Sequence, residues 1–403
     1  MFTERQQPRA NDLKLLHQLL ALPTSPFHEQ NVAAFAWTMA ARLGWHVRVD
    51  RFGNLRLKPT ARTRPKLVLT AHLDHPGFWA LAMEDDQTLM AHWMGGVPAE
   101  VMPGQAVRFW TGGRKLPEGA PGPWCRLGSE ARLGGAVVDG RVKEIVELGE
   151  RGTPTLVRIT VKKAVTPGSI GMWRLGDPVV HDGRVFARAV DDVAAVAALL
   201  ATARRLNRLS NKPDVEILLT RAEEGGFFGA IDYCRGIRNP ERAPVHVGLE
   251  MSSARSEVPV GSGVVIRVGD RRMTYDPGVA DWENATAQAL AAGDAGFRFQ
   301  RQLMTGGSCE STVYQTYLGR AGALCLPLGN YHNVDRERKT IAPEFIDLAD
   351  FRDLVELCVA LAKQPFSDKV ERGDSFRAWC EVHADRHANL THDPVGIVEP
   401  LDG

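Results

Sequence analysis

No Cys-x-x-Cys pair occurs among the six cysteines, at positions 125, 234, 309, 325, 358 and 380, so neither a zinc ribbon nor a redox dithiol is indicated. They are expected as free thiols, most of them small buried residues. The opening MFTERQQPRANDLK lacks the apolar core of a signal peptide, and no uncharged run of about 18 apolar residues occurs. These absences predict a cytoplasmic protein with no membrane partner. Charge of one sign is lacking too: Lys+Arg total 49 against Asp+Glu 48, a formal net charge of +1. Such a balance offers no global field for nucleic acid. Also missing are a Gly-x-x-x-x-Gly-Lys-Ser/Thr phosphate loop, a His-Glu-x-x-His zinc helix and a Gly-x-Ser-x-Gly nucleophile elbow. There is no internal repeat and no low-complexity tract.

What is present is an ordinary globular composition, 44% hydrophobic and 24% charged over 403 residues. That length suggests about two or three domains. Leu13, Leu16 and Leu20 form an apolar stripe at helical spacing, broken by Pro23. Thr24-Ser25-Pro26 predicts a second helix with Ser25 as its cap, ended by Gly44. Residues 45–49 and 54–57 read as a hairpin, and 66–70 as a strand buried on both faces. Between 80 and 176, Gly and Pro recur among short β-branched runs, which predicts a β-rich, barrel-like domain. Strand and helix then alternate: helix 190–206, strands 215–220, 245–249 and 264–268, helix 279–292, strand 323–326, and helix 345–361. The expected fold is α/β, a three-layer sandwich around a mostly parallel sheet with the β-rich segment inserted. The expected divisions are 1–79 and 177–362 for the two parts of the catalytic domain, 80–176 for the insertion and 363–403 for a surface extension. His383 and His387 stand four apart, but the adjoining Asp385 and Arg386 suggest a solvated helix.

Five places put a metal-ligand residue type at a predicted strand end or helix start, where open α/β sheets collect their ligands. The first is Ala71-His72-Leu73-Asp74. Residues two apart on a strand share a face, so the Asp74 carboxylate can orient the far nitrogen of a metal-bound His72. A bare His-x-Asp triplet is often incidental. The second is Asp191-Asp192, which can equally be read as capping the helix that follows. The third is Glu223-Glu224 after strand 215–220. Adjacent buried acids repel unless a cation or a shared proton intervenes, the bland alternative being two exposed loop glutamates. Glu250 and His332 complete the set, and a lone histidine is more often structural than a ligand. Two histidines, three ligating carboxylates and a spare glutamate suit a pair of zinc ions with a general base beside them.

Taken in order, these residues resemble metallopeptidase family 42, cytosolic co-catalytic zinc aminopeptidases that assemble into tetrahedral particles. The resemblance covers roughly residues 10–362. Its elements are Ala71-His72-Leu73-Asp74, Arg188-Ala189-Val190-Asp191-Asp192, Thr220-Arg221-Ala222-Glu223-Glu224-Gly225, Gly248-Leu249-Glu250, Gly306-Gly307-Ser308 and Tyr331-His332. It implies His72, Asp191 and Glu250 on one metal, and Asp191, Glu224 and His332 on the other. Asp191 would bridge, Glu223 would be the base and Asp74 would steady His72. The long stretch between Asp74 and Asp191 favours this family over family 20, which places its extra domain between the last carboxylate ligand and the last histidine. His75, Glu250 and Cys309 depart from the usual acid, Asp and acid at their positions, and Glu310 follows one place later.

The resemblance implies a metallo-aminopeptidase that hydrolyses N-terminal residues of peptides through a metal-bridging water. It implies two divalent ions, zinc first with cobalt or manganese able to replace it, and a homo-oligomer of up to twelve subunits. The alternatives are an N-deacylase or carboxypeptidase on the same site, and a degenerate scaffold without turnover. Arg188 and Arg221 are the arginines that a carboxypeptidase reading could enlist.

Overall fold

Leu67–His72 is buried along its whole length, and its alternate residues enter different cores. Leu67 and Leu69 pack into the larger cluster, with the helices Ala10–Leu20, Gln30–Arg42, Val193–Leu206 and Leu348–Lys363. Val68 points the other way, toward residues of Phe228–Arg235 and Glu310–Leu318. A strand with both faces covered must be apolar throughout, and that is what this run is. The result is three layers, helix on sheet on helix.

This computed structural model describes residues 6–115, 132–364, 366 and 380–382. Cys125, His383, His387 and nearly all of the predicted 363–403 extension lie outside the described residues. Met1–Phe366 is one compact unit and Ser367–Gly403 a second, of which only the short helical stretch 380–382 is described.

The sheet runs His46–Val49, Leu55–Lys58, Val215–Thr220, Leu67–His72, Val245–Ser253, Ala321–Leu328, Val264–Asp270 and Phe299–Met304 in spatial order. Its four central strands, from Val215–Thr220 to Ala321–Leu328, are parallel neighbours. The hairpin edge is antiparallel, and so is the junction of Ala321–Leu328 with Val264–Asp270. The α/β sandwich is therefore as expected, parallel where the functional residues gather.

Between the first and second parts of this sheet the chain makes a closed barrel. Its strands follow the order Gly77–Met83, Thr88–Met94, Pro154–Val161, Arg132–Leu148, Ala106–Lys115 and Ile170–Trp173. Phe78, Trp93, Phe109 and Trp173 fill it, with Phe78 and Trp93 edge to face at 4.5 Å between ring centroids. Gly171 is required there: a Cβ would fall 2.4 Å from the Phe109 ring. A barrel also removes sheet edges, which suits a segment so poor in helix.

Several local expectations are corrected. Ser25 does not cap the second helix, which begins later as Gln30–Arg42. Instead the Glu29 carboxylate accepts the Phe27 and Ala222 N–H groups, and it pairs with Arg221 at 2.7 Å. Helix 190–206 starts at Val193, and the predicted helix 345–361 is split. Glu344–Asp347 is a strand, and Asp347 caps Leu348–Lys363 by accepting from Ala349 and Asp350. Val245–Ser253 extends past Leu249, so Glu250 lies within a strand rather than after one.

Candidate metal centre

Parallel pairing aligns the ends of neighbouring strands, and the register brings the expected residues together. Thr220 is opposite His72, and Gly248 is opposite Thr70. Glu223 and Glu224 leave one strand, Glu250 rides on the next, and His72 stands between them. Asp191 approaches from just before Val193–Leu206, and His332 follows Ala321–Leu328.

The two carboxylate oxygens of Asp191 face different histidines. Oδ1 lies 3.5 Å from His72 Nε2, and Oδ2 lies 3.7 Å from His332 Nε2. His72 Nε2 is also 3.7 Å from Glu250 and 3.8 Å from Glu223. On the other side His332 Nε2 is 3.2 Å from Glu224 Oε1. All these residues are buried except Glu224, which is half-buried. Each imidazole turns its Nδ1 to a main-chain carbonyl, His72 to Asp74 at 3.1 Å and His332 to Gly96 at 3.0 Å. Nδ1–H donation there leaves each Nε2 lone pair facing the acids. Gly96 follows the barrel strand Thr88–Met94, so the barrel helps to aim His332.

Asp74 behaves differently from expectation. Its carboxylate is 3.6 Å from His72 Nδ1, and its hydrogen bonds go elsewhere. Oδ1 accepts the Glu223 N–H and Oδ2 the Glu224 N–H, each at 3.0 Å. Asp192 does not cap the helix through its side chain; its Oδ2 accepts the His72 N–H at 3.2 Å.

Crowding sets the electrostatics. Burial, then the neighbouring Glu250, pushes the Asp191 carboxyl well above the usual range. Burial likewise raises Glu223, further helped by Glu250 and Glu224, although His72 opposes it. Burial alone would lower His72, but the Glu223 charge and then the nearby Asp191 carboxylate carry it well above its ordinary value. His332, also disfavoured by burial, is driven up to about 10, chiefly by Glu224. For Glu250, His72 and Arg267 outweigh burial, and the carboxyl is lowered. Protons thus occupy lone pairs for which a cation competes.

A divalent cation fits this donor set. Among the described residues Asp191 Oδ1 and Asp192 Oδ1 are buried and accept no hydrogen bond. Ligand-capable atoms of His72, Glu223 and Glu250 lie within 4.8 Å of one another, as do those of His72, Asp191 and Glu224, and of Asp191, Asp192 and Glu250. Nitrogen and carboxylate oxygen are the donors that zinc and its neighbours take. Asp191, Glu223, Glu224, Glu250 and His332 line a cleft of about 1040 Å³, walled on one side by the barrel residues Trp93 and Met94.

Two groups, Arg267 and Glu344, escaped the sequence reading, and His75 stood there only as a departure. Arg267, buried on Val264–Asp270, lines the same cleft; it donates to Ser252 Oγ at 3.2 Å, and its Nε has no partner among the described residues. His75, where an acid was the usual residue, bonds the Asp191 carbonyl through Nδ1 and Asn333 Oδ1 through Nε2. Glu344 binds backbone around Asp191 and His332. Only the preference of buried charge for partners could have flagged them, and burial was not readable. Of the other departures, Cys309 sits against Tyr275 and Asp270, and Glu310 accepts from Thr220 and Tyr314. Arg188 and Arg221 are consumed by carbonyls: Arg188 by Gly176 and Ala21, Arg221 by Phe52 and Phe27.

Residues 158–340 match the M42 glutamyl aminopeptidase family model, a span that holds every expected site residue except His72 and Asp74. The resemblance read from the motifs is thereby met independently. A protein of Acetivibrio thermocellus provisionally named an aminopeptidase is 24% identical over 78% of this chain and 87% of its own. An aminopeptidase from the archaeon Desulfurococcus kamchatkensis shares the fold with a TM-score of 0.67 at 20% identity, covering 88% of this chain and 95% of that one. The TET1 peptidase of Pyrococcus horikoshii, described as assembling into a tetrahedron or a large octahedral shell, gives 0.66 at 20% identity, covering 87% and 99%.

Proposed function

We propose that this chain is a metal-dependent aminopeptidase of the M42 kind, carrying two divalent ions and releasing N-terminal residues from peptides. The observation that carries it is the Asp191 carboxylate, with one oxygen toward His72 and the other toward His332. We assign His72, Asp191 and Glu250 to one ion and Asp191, Glu224 and His332 to the other, with zinc as the ion and cobalt or manganese as substitutes. When bound, such ions polarise the scissile carbonyl and make water more acidic.

The chain's own groups supply the rest. Glu223, buried on the cleft wall and held through its backbone by Asp74, is the base that takes a proton from the attacking water. It then returns that proton to the leaving amine. The surrounding carboxylates favour a free α-ammonium group over a blocked terminus. Arg267 provides a buried positive group on the cleft wall, which suits an acidic first side chain. The same arginine could serve the terminal carboxylate of a carboxypeptidase substrate, a reading that the family match does not favour.

We further propose that 80–176 acts as an inserted domain between 1–79 and 177–362, and that the protein assembles from identical subunits as TET1 does. Among the described residues no helix is long and apolar enough to cross a membrane. The deciding experiment uses a matched pair of peptides beginning with Glu, one free and one N-acetylated, with protein loaded with zinc, cobalt or manganese. Release of the first residue from the free peptide alone is expected. Loss of the acetyl group, or trimming from the C-terminus, would replace this reading with a deacylase or a carboxypeptidase. Light scattering at micromolar concentration should give a mass well above the 44.2 kDa of one chain.

A further inference from the structure

Glu344 is the first residue of the strand Glu344–Asp347, and pairing with Arg184–Ala187 sets it opposite Ala187. Its side chain is fully buried. From there one carboxylate accepts three backbone N–H groups from two distant parts of the chain. Oε2 takes Val190 at 2.8 Å and Asp191 at 3.0 Å; Oε1 takes His332 at 2.8 Å. His75 Nδ1 lies 3.9 Å from Oε2, and it in turn bonds the Asp191 carbonyl. The Asp191 N–H and the Asp191 carbonyl are thus both held, by Glu344 and by His75.

The His332 segment needs such an anchor. Asn330, His332 and Asn333 have φ of 53°, 54° and 61°, left-handed values that are disfavoured for residues with a Cβ. Conformations of that kind persist where the surroundings over-determine them. The His332 N–H bonded to Glu344 and the His332 ring bonded to Gly96 do so here.

We infer that Glu344 is a positioning residue for the second cation site, setting the spacing of Asp191 and His332 by holding both backbones on one carboxylate. This rests on the reading of those two residues as ligands of one ion. Asp74 plays the corresponding part for Glu223 and Glu224, from the end of the strand Leu67–His72, whereas Glu344 acts from the strand that follows the Val334–Ile341 excursion.

Cobalt serves as the probe, because its visible absorption reports the geometry of each site. In the wild-type chain two cobalt ions should bind. In Glu344→Gln, which keeps the shape but turns a donor toward one of the three N–H groups, the first ion, which keeps His72 and Glu250, should be weakened much less than the second. The second should bind about 10–100-fold more weakly, with an altered absorption band, while the metal-free melting temperature changes little. Two ions bound with wild-type affinity and spectrum would overturn the inference. So would equal weakening of both ions together with a lowered metal-free melting temperature, the mark of a merely structural residue. Should the variant not fold, hydrogen exchange on metal-free wild-type protein decides. The 190, 191 and 332 amides should exchange far more slowly than those of Gly306 and Gly307; equal rates would overturn the inference. Fewer than two cobalt ions in the wild type would instead defeat the underlying two-metal reading.

Discussion

The Glu223 backbone N–H donates to Asp74 Oδ1 at 3.0 Å, and this bond, with its twin from Glu224 to Oδ2, ties the Glu223-Glu224 segment to the His72 strand end. A fully buried carboxylate that accepts two N–H groups is a rigid hinge point for the acids beyond it. Asp74→Asn keeps the volume but faces one N–H with an amide donor. Activity should fall about 10–100-fold, as for other supports of a metal site, with both ions retained, since the Asp74 main-chain carbonyl still orients His72. Elemental analysis showing one ion lost would restore a direct Asp74–His72 role.

Glu223→Gln and Glu224→Gln should separate base from ligand. The first is expected to reduce kcat by about 10²–10⁴ with two ions still bound. The second should lose an ion, because Glu224 faces His332 at 3.2 Å. The opposite pattern of metal content would exchange the two roles.

Arg267→Met should change selectivity more than turnover. For Glu-anilide against Leu-anilide, the ratio of kcat/KM is expected to drop at least about tenfold, as when a buried charge-assisted pair is lost. An unchanged ratio would mean that Arg267 serves Glu250 and the strand rather than substrate.

Glu283, on the helix Pro277–Gly293, is fully buried, and neither of its oxygens has a hydrogen-bond partner among the described residues. Burial raises its carboxyl well above 4.5, with Arg301 opposing weakly. Below the unfolded value both states are protonated, and no penalty arises. As pH rises past it the unfolded chain releases a proton that the folded chain keeps, so stability falls, by up to about 1.4 kcal/mol per pH unit, until the folded value is reached. Glu283→Gln should therefore gain in melting temperature over wild type as pH rises above the ordinary carboxylate range. Parallel melting curves as pH rises would show that the carboxyl is ionised and paired after all.

Metal-ligand residue types were legible because strand ends could be read: the runs before His72 and before Glu223 are short and mostly apolar, so the residues after them fall at one sheet edge. Periodicity also found the barrel, through its lack of any helical repeat. What escaped was whatever depends on a partner far away in sequence. Glu344 stands one place before the helix read at 345–361 and nothing marks it until its strand partner Ala187 is known, and Arg267 looks like one polar residue in a strand until its burial is seen. The Asp74 carboxylate does lie 3.6 Å from His72 Nδ1, but strand alternation speaks for residues on one strand and could not show the N–H groups of Glu223 and Glu224 arriving from the next.

The His72 N–H meets Asp192 Oδ2 across a sequence separation of 120, and all six strands of the barrel lie between them in the chain. Topologically the barrel is a large loop whose two ends are stapled at the centre of chemistry. Closing a loop of that length costs chain entropy only once and nearly independently of how many residues it holds. The barrel can therefore lengthen or shorten at small cost in closure entropy so long as the His72–Asp192 contact at its base is kept. Variation in substrate reach and assembly can collect at the rim, and the centre need not notice.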